Sequence, residues 1–207
     1  MKDLIIVGAG NFALELLDVV KSINNKKKRW NILGFIDDNE KALDGKICDY
    51  SIIGSISNWT PQENEVFALG IADPKIKEIV VNKLKPKNAH FETIIANGAG
   101  VGRYAVLGEG VVVTSFLVSS YAVLGNFTTI MGGMIGEAAV IDDFCTITGF
   151  ANIASGKLGK RVFVGSHAVV LKSATVGDDA IVGAGSIVVR NVKAGTTVFG
   201  NPAKRIY

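Results

Sequence analysis

An aliphatic residue recurs at nearly regular steps through the second half of the chain. Sixteen such positions follow one another at steps of six residues, with three steps of five. This period matches neither an α-helix nor the two-residue alternation of a strand. It predicts the hexapeptide repeat of a β-helix, in which three hexads close one triangular coil and the aliphatic residues form an apolar column. The positions are Val101, Leu107, Val113, Val118, Leu124, Ile130, Ile135, Ile141, Ile147, Ile153, Leu158, Val164, Val170, Val176, Val182 and Val188.

Composition narrows the class of protein. The chain has 207 residues, of which 48% are hydrophobic, and a formal net charge of +3 from scattered acids and bases. That balance argues against a nucleic-acid surface. Cys48 and Cys145 stand in unrelated settings, so no metal site is predicted. We find no signal peptide and no apolar run long enough to span a bilayer, and we therefore expect a reduced cytoplasmic protein without direct membrane insertion.

The N-terminal segment carries a glycine motif. A buried-type strand at residues 2–7 is followed by Gly8, Gly10 and Ala13 in the pattern G-x-G-x-x-A, and then by residues with helical spacing. Between a strand and a helix, this pattern lets the backbone approach a ligand, and the helix N-terminus offers N–H groups to phosphate. Asp37 and Asp38 end the second strand, where an acid can bind a ribose or base. A polar turn is the alternative role for this pair.

The rest of this segment predicts a small open α/β domain. Strands are expected at residues 50–53, 66–71 and 90–95, and a helix is expected from Pro74 to about residue 85, with Asp73 as its N-cap. We place this Rossmann-like domain at residues 1–96 and the β-helix with its C-terminal cap at residues 97–207. The first domain is short for a dinucleotide fold. Its size favours a mononucleotide or nucleotide-sugar over NAD, which counts against a nicotinamide oxidoreductase.

Four features occur together in one family. They are the opening Gly8-Ala9-Gly10, the strand end Gly34-Phe35-Ile36-Asp37-Asp38, the hexapeptide repeats, and the closing Gly200-Asn201-Pro202-Ala203-Lys204. In these features the chain resembles the bacterial PglD/NeuD-like sugar acyltransferases. The resemblance implies a left-handed parallel β-helix, a homotrimer, acetyl-CoA as co-substrate between neighbouring prisms, and an N-terminal domain that holds a nucleotide-sugar, with UDP as the expected nucleotide.

The resemblance also assigns binding residues. Those expected to face the nucleotide-sugar are Gly8, Gly10, Asn11, Phe12, Ala13, Asp37, Asp38 and Gly70. Those expected to line the acetyl-CoA channel, mostly through backbone groups, are Gly149, Ala154, Ser166 and Ala184.

One departure from the family bears on catalysis. Members usually carry Ile-Glu-His-Asp/Glu in the middle coils, and the His takes the proton from the attacking group. Here Gly136 and Glu137 occupy that place, and a second position that often holds His is Thr146. A sugar amine is partly unprotonated near neutral pH, and positioning supplies much of the rate. A glutamate with a pKa raised by burial can accept one proton. We therefore predict Glu137 as the base.

Several functions remain open. The leading prediction is an acetyl-CoA-dependent N-acetyltransferase that acts on a nucleotide-linked amino-deoxy sugar in surface-glycan synthesis. The missing His favours an amine acceptor, because a hydroxyl is a weaker nucleophile and needs a base more. The alternatives are an O-acetyltransferase of the sialic acid type and a non-catalytic trimeric relative that binds nucleotide-sugar but has lost the base.

Overall fold

The computed structural model describes residues 1–114 and 116–207, which divide into two compact units, Met1–Asn97 and Gly98–Tyr207. The sequence-predicted boundary falls between residues 96 and 97. The N-terminal unit alternates strands and helices in the order β1 Lys2–Val7, α1 Asn11–Lys26, β2 Trp30–Ile36, β3 Ile52–Gly54, β4 Glu65–Leu69, α2 Pro74–Leu84, a 3-10 turn Lys85–Lys87, and β5 Ile94–Ile95.

A parallel sheet forms the centre of the N-terminal unit. Its strands lie in the order β3-β2-β1-β4. β1 and β4 read as continuous apolar runs because both faces of a parallel sheet are covered. The apolar side of α1 is buried through Phe12, Ala13, Leu16, Leu17, Val20 and Ile23.

The second helix begins as the sequence predicts. The Asp73 carboxylate accepts hydrogen bonds from the backbone N–H groups of Lys75 and Ile76, both at 2.9 Å, and Pro74 opens the helix. The predicted strand at 90–95 is shorter than expected. Only Ile94–Ile95 is a strand, and Phe91 forms a single bridge to Phe67 of β4. Around that bridge, Phe67 donates to the His90 carbonyl and Glu92 donates to the Phe67 carbonyl.

The C-terminal unit is a parallel β-helix with three faces. The first face contains β6 Gly100–Val101, β9 Leu117–Val118, β12 Met134–Ile135, β15 Asn152–Ile153, β18 Val169–Val170 and β21 Ile187–Val188. The second contains β7 Val106–Leu107, β10 Val123–Leu124, β13 Val140–Ile141, β16 Lys157–Leu158 and β19 Thr175–Val176. The third contains β8 Val112–Val113, β11 Thr129–Ile130, β14 Thr146–Ile147, β17 Phe163–Val164, β20 Ile181–Val182 and β22 Thr197–Phe199, with β23 Lys204–Arg205 antiparallel to β22.

The predicted apolar column is the core of this unit. Fourteen of the sixteen repeat positions are buried, each no more than 3% exposed. The two others, Val101 and Leu107, belong to the first coil, which has no coil of the prism on its N-terminal side. Small side chains such as Ala139 and Ala151, each two positions before an aliphatic residue of the column, are also buried in the interior. The repeat therefore dictates both the strands and their packing.

Aromatic side chains stack along the corners between the faces. At the corner after the first face, Tyr104 and Tyr121 stack with ring centroids 5.2 Å apart. At the corner after the second face, Phe127 and Phe144 stack at the same distance. All four residues have a positive φ between 58° and 66°. We call each such stack a corner ladder and each positive-φ position a rung.

Removing one buried side chain of the column tests the core. Ile147→Ala should lower the free energy of unfolding by about 2–5 kcal/mol, because it removes buried methyl groups and leaves a cavity. Val140→Ala is the control, since Val140 lies on the outside and is 40% exposed, and it should change stability by only about 0.5 kcal/mol. Urea denaturation at one fixed protein concentration measures both. Equal midpoints for the two variants would contradict the assignment of Ile147 to the core.

Candidate functional site

One cavity of about 480 Å³ in the N-terminal unit gathers most of the predicted nucleotide-sugar residues. It lies at the carboxyl ends of β1, β2 and β4, where parallel sheets commonly bind ligands. It is lined by Gly8, Gly10, Asn11, Phe12, Asp37, Asp38, Ile56, Gly70, Ile71, Ala72, Asp73, Ile76, Ile79, Val80 and Lys83. Seven of the eight predicted residues are among them, and Ala13 is the exception.

The glycine turn brings the start of α1 to the cavity. Gly8 has a φ of +91°, and a Cβ there would lie 2.9 Å from Ile71 Cγ1, so a side chain would meet both strain and crowding. Gly10 is the N-cap of α1, and no side chain caps that helix end. The first N–H groups of α1 therefore lack a side-chain acceptor at the cavity wall. This arrangement suits an anionic group such as a phosphate.

Ala13 and Gly70 form the packing contact beneath the turn. Ala13 is fully buried, and a Cβ added to Gly70 would lie 2.7 Å from the Ala13 Cβ. Small residues at both positions let α1 approach the end of β4 closely. Ala13, which the resemblance placed against the ligand, lies below the cavity wall and sets the position of Gly10 and Asn11.

Both aspartates after β2 also bind the chain itself. Asp37 Oδ2 accepts the Ala9 N–H at 2.7 Å, and Oδ1 accepts the Asn39 N–H at 2.8 Å. Asp37 thereby ties the glycine turn to the end of β2. Asp37 and Asp38 therefore stabilise turns and also line the cavity, and their binding of a ribose or base stays a prediction.

Asp38 belongs to a small polar network at the cavity wall. It accepts bonds from the Ser57 N–H and hydroxyl, both at 2.8 Å, and from Lys83 Nζ at 3.3 Å. Partial burial raises the pKa of the Asp38 carboxyl, but the bonds from Ser57 and the Lys83 ammonium outweigh it and hold the pKa below its ordinary value. Asp38 is therefore ionised near neutral pH, with Lys83 beside it.

The apolar wall of this cavity and its lysine, Lys83, were not predicted from the sequence. Ile56 lies after β3, whereas Ile76, Val80 and Lys83 lie on α2. The α2 residues follow one another at helical spacing, which signals one helix face. That spacing alone does not show which sheet end the face covers.

On the β-helix, three of the four predicted acetyl-CoA residues lie at one corner. Gly149, Ser166 and Ala184 occupy equivalent places two residues after Ile147, Val164 and Val182, which pair in register. A Cβ at Gly149 would meet only Met131 O at 3.8 Å and Ser166 Oγ at 4.0 Å, so the backbone there is open. Ala154 lies at a different corner, after the first face, next to Gly136 in the preceding coil.

Glu137 lies at the same corner as Ala154. Its side chain is exposed in the single chain. The burial that would suit it to accept a proton is therefore not provided by this chain alone. The following residue, Ala138, donates its N–H to the Ser120 carbonyl of the preceding coil at 3.2 Å. Thr146, at the second position where relatives often carry His, is fully buried.

The chain is similar to known proteins in both sequence and fold. Residues 3–84 match the family model described as the PglD N-terminal domain. The match covers most of the N-terminal unit and less than half of the chain. The whole chain is similar to the acetyltransferase domain of PglB from Neisseria gonorrhoeae FA1090 in complex with acetyl coenzyme A, with a TM-score of 0.90, 22% identity and 99% of each chain covered.

A second solved structure has the same two-part fold. Perosamine N-acetyltransferase from Caulobacter crescentus, in complex with CoA and GDP-perosamine, has a TM-score of 0.89 and 20% identity, with 100% of this chain and 98% of that chain covered. These matches confirm the predicted fold class, an α/β domain followed by a left-handed parallel β-helix, and the predicted resemblance to PglD/NeuD-like proteins.

A curated relative matches a shorter stretch. The 2,3,4,5-tetrahydropyridine-2,6-dicarboxylate N-acetyltransferase of Staphylococcus aureus (strain bovine RF122 / ET3-1) is 53% identical over 45 residues, which are 22% of this chain. The matched stretch spans only 19% of that relative's length.

The described part of the chain lacks two features, a membrane-spanning helix and a metal-binding cluster. No helix within residues 1–114 and 116–207 has the length and apolar character needed to cross a bilayer. The same residues contain no group of three or more His, Cys, Asp or Glu side chains arranged to hold a metal ion.

Gly70 and Gly10 should respond differently to substitution by alanine. Gly70→Ala should lower the free energy of unfolding by about 1–3 kcal/mol, because the new methyl group would overlap Ala13 and push α1 outward. Gly10→Ala should leave stability nearly unchanged, since an added Cβ there meets nothing within 4 Å. Thermal unfolding followed by circular dichroism measures both. A Gly70→Ala variant as stable as the wild type would show that the contact tolerates the methyl group.

Proposed function

We propose that this protein is an acetyl-CoA-dependent N-acetyltransferase whose acceptor is the amino group of a nucleotide-linked amino-deoxy sugar used in surface-glycan synthesis. The observation that carries the proposal is the cavity of the N-terminal unit, with its open helix start and paired acids, in a chain that also contains an acyltransferase-type β-helix. The structural relatives include proteins named as acetyltransferases and seen with acetyl-CoA or CoA.

The cavity suits the nucleoside diphosphate of a nucleotide-sugar in three ways. The free N–H groups at the start of α1 can bind phosphate oxygens. Asp37 and Asp38, at the end of β2, are placed to accept hydrogen bonds from ribose or base. Ile56, Ile76 and Val80 provide an apolar wall for a flat base. We expect UDP as the nucleotide, and the GDP-sugar bound by the Caulobacter enzyme makes GDP the principal comparison.

The β-helix would hold acetyl-CoA. Gly149, Ser166 and Ala184 form a column of small residues with accessible backbone, which suits the extended pantetheine arm. Ala154 would complete the channel from the corner beside Glu137. In the predicted homotrimer, a neighbouring prism would form the opposite wall and would supply the burial that Glu137 lacks in one chain.

The reaction needs little from the protein beyond positioning and one proton acceptor. The neutral sugar amine attacks the thioester carbonyl carbon, a C–N bond forms, and the C–S bond breaks. The amine gives up one proton, for which Glu137 is the proposed acceptor, and the departing thiolate takes up one proton. The products are an N-acetyl sugar and CoA thiol. Holding the amine against the thioester supplies much of the rate, because it replaces a bimolecular encounter.

A second candidate function follows from Glu137. The family histidine is absent, and Glu137 is exposed in the single chain. These two observations favour a non-catalytic relative that binds nucleotide-sugar through the same cavity and no longer transfers an acyl group. An O-acetyltransferase remains the third candidate.

A thiol-release assay tests the proposal. The protein is incubated with acetyl-CoA and a panel of UDP-, GDP- and dTDP-linked amino sugars, and products are identified by mass spectrometry. We expect CoA release with an acetylated amine. An ester product would support O-acetylation instead. If a nucleotide-sugar binds by calorimetry while acetyl-CoA neither binds nor turns over, the non-catalytic function replaces the proposal.

Glu137→Gln tests the proton acceptor. The substitution keeps the shape of the side chain and removes its basicity, so kcat should fall by about 10²-fold or more while both KM values change little. Glu40→Gln is the control, because Glu40 is also exposed and does not line the cavity. An unchanged kcat for Glu137→Gln would mean that positioning alone carries the reaction.

A further inference from the structure

The corner that carries Glu137 contains an aromatic ladder of two rings. Its rungs are Tyr104, Tyr121, Ala138 and Ser155, which follow one another at 17-residue intervals and all have a positive φ. The two tyrosine rings stack at 5.2 Å with an interplanar angle of 22°. The next two rungs are an alanine and a serine. The stack therefore ends at Tyr121, one coil before Ala138.

The ladder at the corner after the second face also has two rings, Phe127 and Phe144, and its next rung is Arg161. It shows how one rung covers the ring before it. There the Phe144 N–H donates to the carbonyl of Asn126, the residue before the Phe127 rung, and the two rings stack. In the same way, the Ala138 N–H donates to the carbonyl of Ser120, the residue before the Tyr121 rung. An aromatic side chain at position 138 would thus cover Tyr121 as Phe144 covers Phe127. Because position 138 is alanine, no ring at that position covers Tyr121, and Tyr121 is 55% exposed whereas Phe127 is 6% exposed.

A ring stacked on Tyr121 would lie at the level of the next coil. Successive coils are about 4.8 Å apart, as hydrogen-bonded strands are. Tyr121 is 55% exposed and Tyr104 is 63% exposed, so solvent reaches this corner. Glu137 directly precedes Ala138 and is itself exposed. The exposed ring face therefore lies next to the proposed proton acceptor.

We propose that the exposed face of Tyr121 is a carbohydrate-stacking subsite, which holds the sugar ring of the acceptor in the place that a ring at position 138 would take. This inference rests on the proposed function and adds the residues that position its acceptor. The C–H face of a pyranose is flat and apolar and packs on an aromatic ring. A deoxygenated ring carbon enlarges that apolar face, so an amino-deoxy sugar fits the subsite better than a fully hydroxylated one. The small Ala138 leaves room for the ring, and stacking would direct its amine towards Glu137.

Filling and emptying the subsite are complementary tests. Ala138→Tyr adds a ring at a positive-φ corner, a conformation that Tyr104, Tyr121, Phe127 and Phe144 already adopt, so the variant should fold. It should raise the acceptor KM more than tenfold. Tyr121→Ala removes the platform and should raise the acceptor KM about three- to tenfold, as for the loss of one aromatic stacking contact. Tyr121→Phe keeps the ring and should behave like the wild type.

A matched control removes a ring elsewhere. Phe144→Ala breaks the stack with Phe127 at the other corner and should leave the acceptor KM unchanged. The KM for acetyl-CoA should stay constant in the Tyr121 and Phe144 variants, which separates acceptor positioning from a general loss of structure. Light scattering after size-exclusion chromatography checks the oligomeric state of each variant.

Ligand-observed NMR keeps this test separate from the proposed function. Saturation-transfer signals from the sugar protons of a UDP- or GDP-linked amino-deoxy sugar report stacking without turnover. If the wild type shows these signals and Ala138→Tyr loses them, the subsite stands even where no acetyl transfer is detected. If Ala138→Tyr binds the sugar like the wild type, the proposal is wrong. A changed oligomer mass with an unchanged acceptor KM would overturn it too, and would identify the exposed face as a subunit contact.

Discussion

Parallel backbone hydrogen bonding between successive coils is the interaction on which the C-terminal unit depends. Bonds such as Thr146 N–H to Val162 O at 2.9 Å and Thr148 N–H to Val164 O at 3.0 Å recur from coil to coil. They place equivalent residues directly above one another, so each choice of residue is repeated as a column. The interior column is uniformly aliphatic. At the outer corners, the residue type changes from one coil to the next. The proposed acetyl-CoA column and the tyrosine ladder both lie at such corners.

In the N-terminal unit, buried contacts beneath the cavity fix the position of the residues that line it. Ala13 and Gly70 bring α1 against the sheet, and Asp37 ties the glycine turn to the end of β2. Together they hold the uncapped start of α1 at the cavity wall. A buried motif residue outside the cavity lining, such as Ala13, can still shape the cavity wall. The pattern G-x-G-x-x-A therefore combines two physical roles, backbone access at its glycines and close helix packing at its alanine.

The corner at Glu137 contains both the proposed proton acceptor and the residues proposed to position the sugar acceptor. Acyl transfer to an amine depends less on a strong base than transfer to a hydroxyl, and it gains more from orientation. A chain that lacks the usual imidazole is thus expected to rely on precise placement of its acceptor. The unfilled rung over Tyr121 lies one residue from Glu137, where such placement would matter most. Glu137 and Ala138, the alanine that follows the tyrosine ladder, lie at the same turn of the prism.

The sequence alone determined the β-helix, because a six-residue period with aliphatic interior positions has one regular solution, and it determined the strand–turn–helix of the glycine motif from local backbone requirements. The family resemblance of the sequence also pointed to seven cavity residues, each of which follows the end of a strand or starts a helix. Tertiary structure decided the rest. The wall formed by Ile56, Ile76 and Val80 arises from segments distant in the chain, and the exposure of Tyr121 depends on Ala138, 17 residues later. Local patterns do not encode such contacts, because they depend on which coils and strands become neighbours.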